Sequence, residues 1–281
     1  MLKTYYLLTK PGIIIGNLIT TAGGFALASK GQIDPALFLA LLLGLGPVIA
    51  SACIFNNYID RISDAKMART KNRPLAKGAI APWKAIVFAL ALGVIGLILL
   101  LLYTNFLAAL VAFGGFFVYV ILYSFWKGSS MHATLVGSIS GAVPPVVGYV
   151  AVSGQIDLGA ALLFLILVLW QMPHFYAIAM FRQKEYEAAS IPVLPIMKGI
   201  HATKVQMLLY CIAFALSCAL LTLLGLTGKA YLIVVSILSL SWIYLSIRGF
   251  QAKNDIAWAR SMFRLSLVII TVLSTMLYVD S

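Results

Sequence analysis

An all-α polytopic membrane protein with nine transmembrane helices is the fold class this sequence predicts, and three observations predict it. Hydrophobic residues make up 62% of the 281 and charged residues only 10%, with a mean hydropathy of +1.02. Those values lie outside the range of soluble globular domains. Between Lys84 and Lys127 stand 42 residues without a charged side chain, twice the roughly 20 that a helix needs to cross a bilayer. Backbone in lipid must satisfy its hydrogen bonds within its own segment, so such runs are helices. Finally, threading the runs across a membrane puts eighteen of the twenty Lys and Arg on one side and leaves Lys30 and Lys229 on the other. That asymmetry fixes the N-terminus in the cytoplasm and the C-terminus on the opposite side, and a bacterial-type inner membrane is the expected location.

In chain order the spans are expected at about 13–29, 36–55, 85–103, 106–126, 133–152, 159–180, 205–227, 230–247 and 262–279. The outer connections are short: "KGQIDP" ends the first span, "TN" the third, "SGQID" the fifth and "TGK" the seventh. The inner ones are longer, above all 56–84 after the second span and 181–204 after the sixth. This spacing gives two four-helix units and a ninth span within a single transmembrane domain covering 1–281. Lys3 and Lys10 before the first span and "ALAS" after it imitate a signal peptide, but the expectation is a retained helix. Cys53, Cys211 and Cys218 fall in or at the ends of spans without a CxxC pair, and read as small core residues. The net charge of +12 follows from topology, which excludes a nucleic-acid role.

Where chemistry sits is suggested by "CIFNNYIDRISDAKMARTKNRPLAKG", residues 53–78. On a helix continuing from the second span, Asn56, Asp60 and Asp64 recur every four residues and share one face. Two carboxylates so placed repel unless a cation lies between them, and hard oxygen donors of this kind suit Mg2+, which completes its shell with water and phosphate oxygens. Arg61, Lys66, Arg69, Lys71 and Arg73 surround the acids and suit a polyanion, and "NRP" at 72–74 supplies a turn that folds the basic loop back. A solvated helix with ordinary charge pairs is the plain alternative. Acids at the membrane boundary, in a chain with only eight Asp and Glu, instead point to a metal–diphosphate site facing a central apolar chamber that opens on the cytoplasmic face. A second polar cluster at the same depth is "LWQMPHFYAIAMFRQKEYEAASIPVLP", residues 169–195. Its Trp170, His174 and Tyr176 lie inside the sixth span beside Pro173, which frees a backbone carbonyl. A histidine within a span is often a hydrogen-bonded core residue, and that reading stays open beside a pocket one.

"NNYIDRISD" followed by "RTKNRPLAKG" resembles the NxxxDxxxD motif of the UbiA-type intramembrane prenyltransferases, and the likeness runs through the whole chain. "TKPGIIIGNL", "GSISGAVPPVVGY", "WQMPHFYAIAMFR" and "IPVLP" are similar to the heme-farnesylating branch of that family. Where other members carry a second aspartate-rich motif, this chain has "WQMPHF…FRQKEY". The resemblance implies transfer of the farnesyl group of farnesyl diphosphate to a vinyl group of heme B, with hydration. The product, heme O, would feed respiratory oxidase assembly, and heme-handling or oxidase assembly proteins are implied as downstream partners. It further implies Mg2+ on Asn56, Asp60 and Asp64, with Glu185 either assisting the metal or pairing with a cation. Lys10, Asn17, Arg69, Lys71, Arg73, Arg182 and Lys184 are expected at the diphosphate. His174, Trp170, Tyr176, Tyr58, Tyr149 and His132 are expected at the acceptor, and Tyr119, Tyr123 and Phe175 are further candidates for an electron-rich wall. Two readings compete: a family member acting on an aromatic quinone precursor, and, from a different class, an anion transporter. The gathering of polar residues at one face, not at mid-membrane depth, speaks against the transporter.

Overall fold

The computed structural model describes residues 2–281, and among them nine helices are long and apolar enough to cross a membrane. They run Pro11–Ser29, Pro35–Ile59, Pro82–Tyr103, Phe106–Trp126, Ala133–Ser153, Leu158–Phe181, Gly199–Leu223, Lys229–Gln251 and Asp255–Val279. The number of spans agrees with the expectation, while three starts come earlier by three residues or more: Pro82, Gly199 and Asp255. The last two are helical beyond the hydropathy boundary because their charges find each other. Lys204 Nζ donates to Asp255 Oδ1 at 2.6 Å and lies over the Trp258 ring.

Local chemistry sets the ends. Asp34 caps the second span through the amides of Ala36 and Leu37, and Asn105, Asp157 and Asn254 cap the fourth, sixth and ninth. Each accepts amide protons that a helix start leaves without partners. Proline opens the first, second and third spans, where its missing N–H costs nothing.

The second span packs along the third, the first along the fifth, and the sixth against the seventh and ninth. The ninth also touches the first and closes the bundle. Close approach of the first and fifth spans depends on two glycines. A Cβ on Gly24 would collide with the Pro145 carbonyl, and one on Gly148 with the Thr21 carbonyl. Small residues let backbones meet where lipid offers no hydrophobic drive.

Two spans are irregular. The fifth breaks at Ala142 between Gly141 and Val143, as the Pro144–Pro145 pair predicts. In the fourth, Val118–Tyr123 winds as a π-helix, a rare form that collects at functional sites.

Gly148→Val is expected to destabilise the detergent-solubilised protein by at least about 1–3 kcal/mol, the usual cost of overpacking. Gly114→Val, whose Cβ meets nothing within 4 Å, serves as the control. Thermal unfolding of both variants checks this, and equal melting temperatures would contradict it.

Candidate active site

The helix of the second span ends at Ile59, but its hydrogen bonding does not stop there. The Asp60 amide donates to the Asn56 carbonyl at 2.9 Å and the Asp64 amide to the Asp60 carbonyl at 2.7 Å. The four-residue register therefore passes through the junction into a short helix, Arg61–Lys66, and the three side chains stay on one face. All three are buried: Asn56 is 3% exposed, Asp60 7% and Asp64 1%. They line the inner end of one large cavity.

Each acid has a cation. Asp60 Oδ2 accepts from Lys127 Nζ and from Asn56 Nδ2 at 3.0 Å, while Asp64 Oδ2 accepts from Arg73 Nη1 at 2.7 Å. Lys10 Nζ donates to Asn56 Oδ1 at 2.7 Å. Neither Oδ1 of the two acids takes a hydrogen bond among the described residues. Burial lowers the pKa of Lys10 to about 8. Burial acts the same way on Lys127, but the Tyr123 phenol and the Asp60 carboxylate outweigh it, and its pKa lies above the ordinary value.

Three backbone features bring these cations in. Lys10 sits in the left-handed region at φ 53°, a conformation that costs a non-glycine residue about 1 kcal/mol or more and that its bond to Asn56 helps to hold. Next to it, Asn57 Nδ2 ties down the Leu8 carbonyl at 2.8 Å. Arg73 returns because Thr70, buried, donates its hydroxyl to the Asp64 carbonyl and its own carbonyl accepts from the Arg73 amide. Lys127 follows the π-helical turn, four residues beyond Tyr123 and eight beyond Tyr119. Those two tyrosine rings stack at 5.5 Å and line the cavity.

The two inner loops meet. Met67 packs with Ala179, Ala189, Ile191 and Val193. Glu185 joins both sides, accepting from Arg182 at 2.6 Å and lying 3.7 Å from Arg69.

The whole cavity, acid end included, measures about 1230 Å³, more than the roughly 300–1,000 Å³ of a site for one small molecule. Its middle is apolar, with Leu45, Val48, Ala112, Phe116 and Leu167 on its walls. At the side formed by the sixth and ninth spans, His174 stacks on Trp170 at 4.8 Å and leans on Phe263 at 4.9 Å. Its Nδ1 bonds the Ser266 hydroxyl at 2.7 Å, and Trp170 Nε1 donates to the Ser266 carbonyl. Phe175 completes this aromatic wall.

Thus Asn56, Asp60, Asp64, Lys10, Asn17, Arg69, Arg73, Arg182, Trp170 and His174 all line one cavity. Asn17 does so with its amide turned back to the Ile13 carbonyl. Seven predicted residues do not line it, and one of these, Glu185, is held by Arg182 and Arg69 instead. Lys71 and Lys184 point to solvent on the outside of their loops. Tyr58 turns toward the third span, packed among Leu8, Ile54 and Phe88, with the Arg61 guanidinium over its ring. Tyr149 belongs to the outer end, where its hydroxyl donates to Asp157. Tyr176 packs against Tyr210 of the seventh span, and His132 is exposed at the start of the fifth.

Sequence reasoning assigned Lys127, Arg260 and Arg264 to topology alone, yet all three line the cavity. The available signal for Lys127 was its place four residues after the Tyr119–Tyr123 pair. Among the described residues no three His, Cys, Asp or Glu side chains gather as a metal cage. A divalent ion here would need the two acids, the Asn56 amide and oxygens from a ligand or water.

The chain matches the UbiA prenyltransferase family over residues 17–268. It is 54% identical over 274 residues to a protoheme IX farnesyltransferase of Protochlamydia amoebophila, covering 98% of this chain and 97% of that one. Its fold is similar to that of a digeranylgeranylglyceryl phosphate synthase, with a TM-score of 0.82, 22% identity, and coverage of 99% and 97% of the two chains. It is also similar to a UbiA homologue from Archaeoglobus fulgidus bound to DMAPP and Mg2+, with a TM-score of 0.72, 14% identity, and coverage of 98% and 99%.

Because one carboxylate holds both loops, Glu185→Gln is expected to loosen them together. A half-exposed ion pair contributes about 1 kcal/mol, so amide hydrogen exchange should rise about fivefold in 66–80 and in 183–197. Exchange in the spans should not change. Unchanged exchange in either loop would contradict the joint role of Glu185.

Proposed function

The chain belongs to the UbiA prenyltransferase family, and we propose that its cavity brings farnesyl diphosphate and heme B together. The farnesyl group passes to a vinyl group of the heme, with water added, and the product is heme O, destined for respiratory oxidase assembly. The observation that carries this reading is the division of one large cavity into two unlike ends. One end holds buried acids ringed by cations, and the other is an aromatic wall around a histidine. The name borne by the Protochlamydia relative supports it.

Mg2+ fits the first end, since Asn56, Asp60 and Asp64 offer hard oxygens on one face with an uncommitted Oδ1 on each acid. Bound there, the ion supplies Lewis acidity that offsets the negative charge growing on the leaving diphosphate. Lys10, Arg73 and Lys127, with Arg69 and Arg182 from the rim, hold the diphosphate oxygens and add positive charge where the leaving group departs. As the allylic carbon–oxygen bond breaks, its electron pair goes with the diphosphate and the prenyl carbon becomes cationic. The faces of Tyr119, Tyr123 and Phe116 stabilise that cation without attacking it, and the surrounding apolar walls keep bulk water out. The acceptor macrocycle lies on Trp170, His174, Phe175 and Phe263. Ser266 holds the histidine by Nδ1, so Nε2 is the nitrogen left for the substrate. The side bearing eighteen cations faces the cytoplasm, so the diphosphate is taken from that compartment.

Purified protein incubated with heme B, farnesyl diphosphate and Mg2+ is expected to yield a more hydrophobic heme, and chelation of the metal should stop the reaction. Asp60→Asn and Asp64→Asn should each lower turnover by roughly a hundredfold or more while the protein still inserts. Near-normal turnover in either variant would overturn the metal assignment. His174→Ala should raise KM for heme about tenfold, the cost of one lost contact of about 1.4 kcal/mol, with KM for farnesyl diphosphate unchanged. A shift confined to the diphosphate would refute that placement.

A further inference from the structure

Seven Lys and Arg side chains line the cavity, and five of them are committed to oxygens around Asn56, Asp60, Asp64 and Glu185. Arg260 and Arg264 are different. Neither pairs with a carboxylate among the described residues, and the one side-chain bond between them goes from Arg264 Nη2 to the Ser261 hydroxyl at 3.3 Å. They stand one turn apart on the ninth span, so their guanidinium groups leave the same face. Both are exposed, yet both line the cavity. Positive-inside sorting accounts for cations such as Arg248 and Lys253, which lie off the cavity, but it does not require a pair aimed into it.

The surroundings say what the pair meets. Phe263, between the two arginines in sequence, is the residue that leans on His174, so the pair borders the aromatic wall. The facing side is the first span. A Cβ on Gly23 would come within 3.0 Å of the Ser274 Cα, so the first and ninth spans touch there, and the two helices run in the same direction through the membrane. About ten residues further in, both helices line the cavity: Gly12, Ile13 and Gly16 from one, Arg260, Arg264 and Leu267 from the other. This part of the cavity has Gly12 and Gly16 on one side and, on the other, two guanidinium groups that pair with no carboxylate among the described residues. A flat ligand with two carboxylates on one edge suits that arrangement. Arginine, with its planar fork of donors, is the residue that reads a carboxylate with two bonds.

We propose that Arg260 and Arg264 bind the two propionate carboxylates of the porphyrin acceptor. This rests on heme being the acceptor, and it gives the macrocycle one orientation. Propionates occupy one edge of the porphyrin and vinyl groups the other, so anchoring the acid edge at the ninth span turns the vinyl edge inward, toward the prenyl carbon.

The test titrates heme B and its propionate dimethyl ester against the purified protein by absorbance, without farnesyl diphosphate, and then repeats both ligands in the transfer assay. The wild type should bind the free acid at least roughly tenfold tighter than the ester, as charge-assisted bonds predict. Arg260→Gln with Arg264→Gln should erase that preference, and Arg264→Lys should restore part of it. In turnover, the double variant should raise KM for heme and leave KM for farnesyl diphosphate unchanged. A wild type that treats acid and ester alike, or a double variant that keeps the preference, would overturn the proposal. If the wild type farnesylates neither ligand, the acceptor reading itself falls. If it farnesylates both with equal efficiency, only the role of the arginines does.

Discussion

Asp60 and Asp64 stand one helical turn apart and almost out of contact with water, and two like charges hold such positions only when opposite charge is brought to them. At about 5–6 Å the repulsion is about 3 kcal/mol at an effective dielectric constant of about 20, before the cost of burying either charge. The protein meets this with Lys127 on one acid and Arg73 on the other, while Lys10 holds the neighbouring amide. In the proposed reaction the same cations that make the acids tolerable also receive the diphosphate. Stability of the ligand-free protein and readiness for a charged substrate thus come from one set of side chains.

Much of the irregular backbone serves that set. A regular helix would not deliver Lys10, Arg73 and Lys127 to one place, since they come from three separate parts of the chain. A left-handed residue before the first span, a hydroxyl-pinned turn at Thr70 and a π-helical turn in the fourth span each redirect one of them. Around these departures the bundle is built tightly, with glycine contacts such as Gly24–Pro145 and Gly148–Thr21 fixing the first and fifth spans. Within the bundle lies one large cavity, charged at one end, aromatic at another side and apolar between. A reaction that makes a diphosphate anion and an allylic cation needs those two environments side by side and dry.

The spans and the acid face were legible in the sequence because each depends on a short-range rule. Hydropathy marks a helix in lipid, and a spacing of four marks one face. Helix starts at Gly199 and Asp255 were not legible, since charged residues end a hydropathy run whether or not the helix continues, and the Lys204–Asp255 pair is a contact over 51 residues. Side-chain direction was the other gap. Tyr58, Tyr149 and Tyr176 look alike in a list of aromatics, yet they face the third span, Asp157 at the outer end and the seventh span. Lys127, Arg260 and Arg264 were hidden for the opposite reason, because a strong topological rule already explained every inner cation. Which cations face inward depends on helix rotation, which one-dimensional charge counting does not contain.

The most direct measurement is anomalous scattering from crystals grown with Mn2+ in place of Mg2+ and with a non-hydrolysable farnesyl diphosphate analogue. The account predicts a metal peak bounded by oxygens of Asp60, Asp64 and the analogue, with Lys127 and Arg73 turned to phosphate. A diphosphate bound elsewhere in the cavity, with both aspartates facing away from it and no metal between them, would contradict the account at its base.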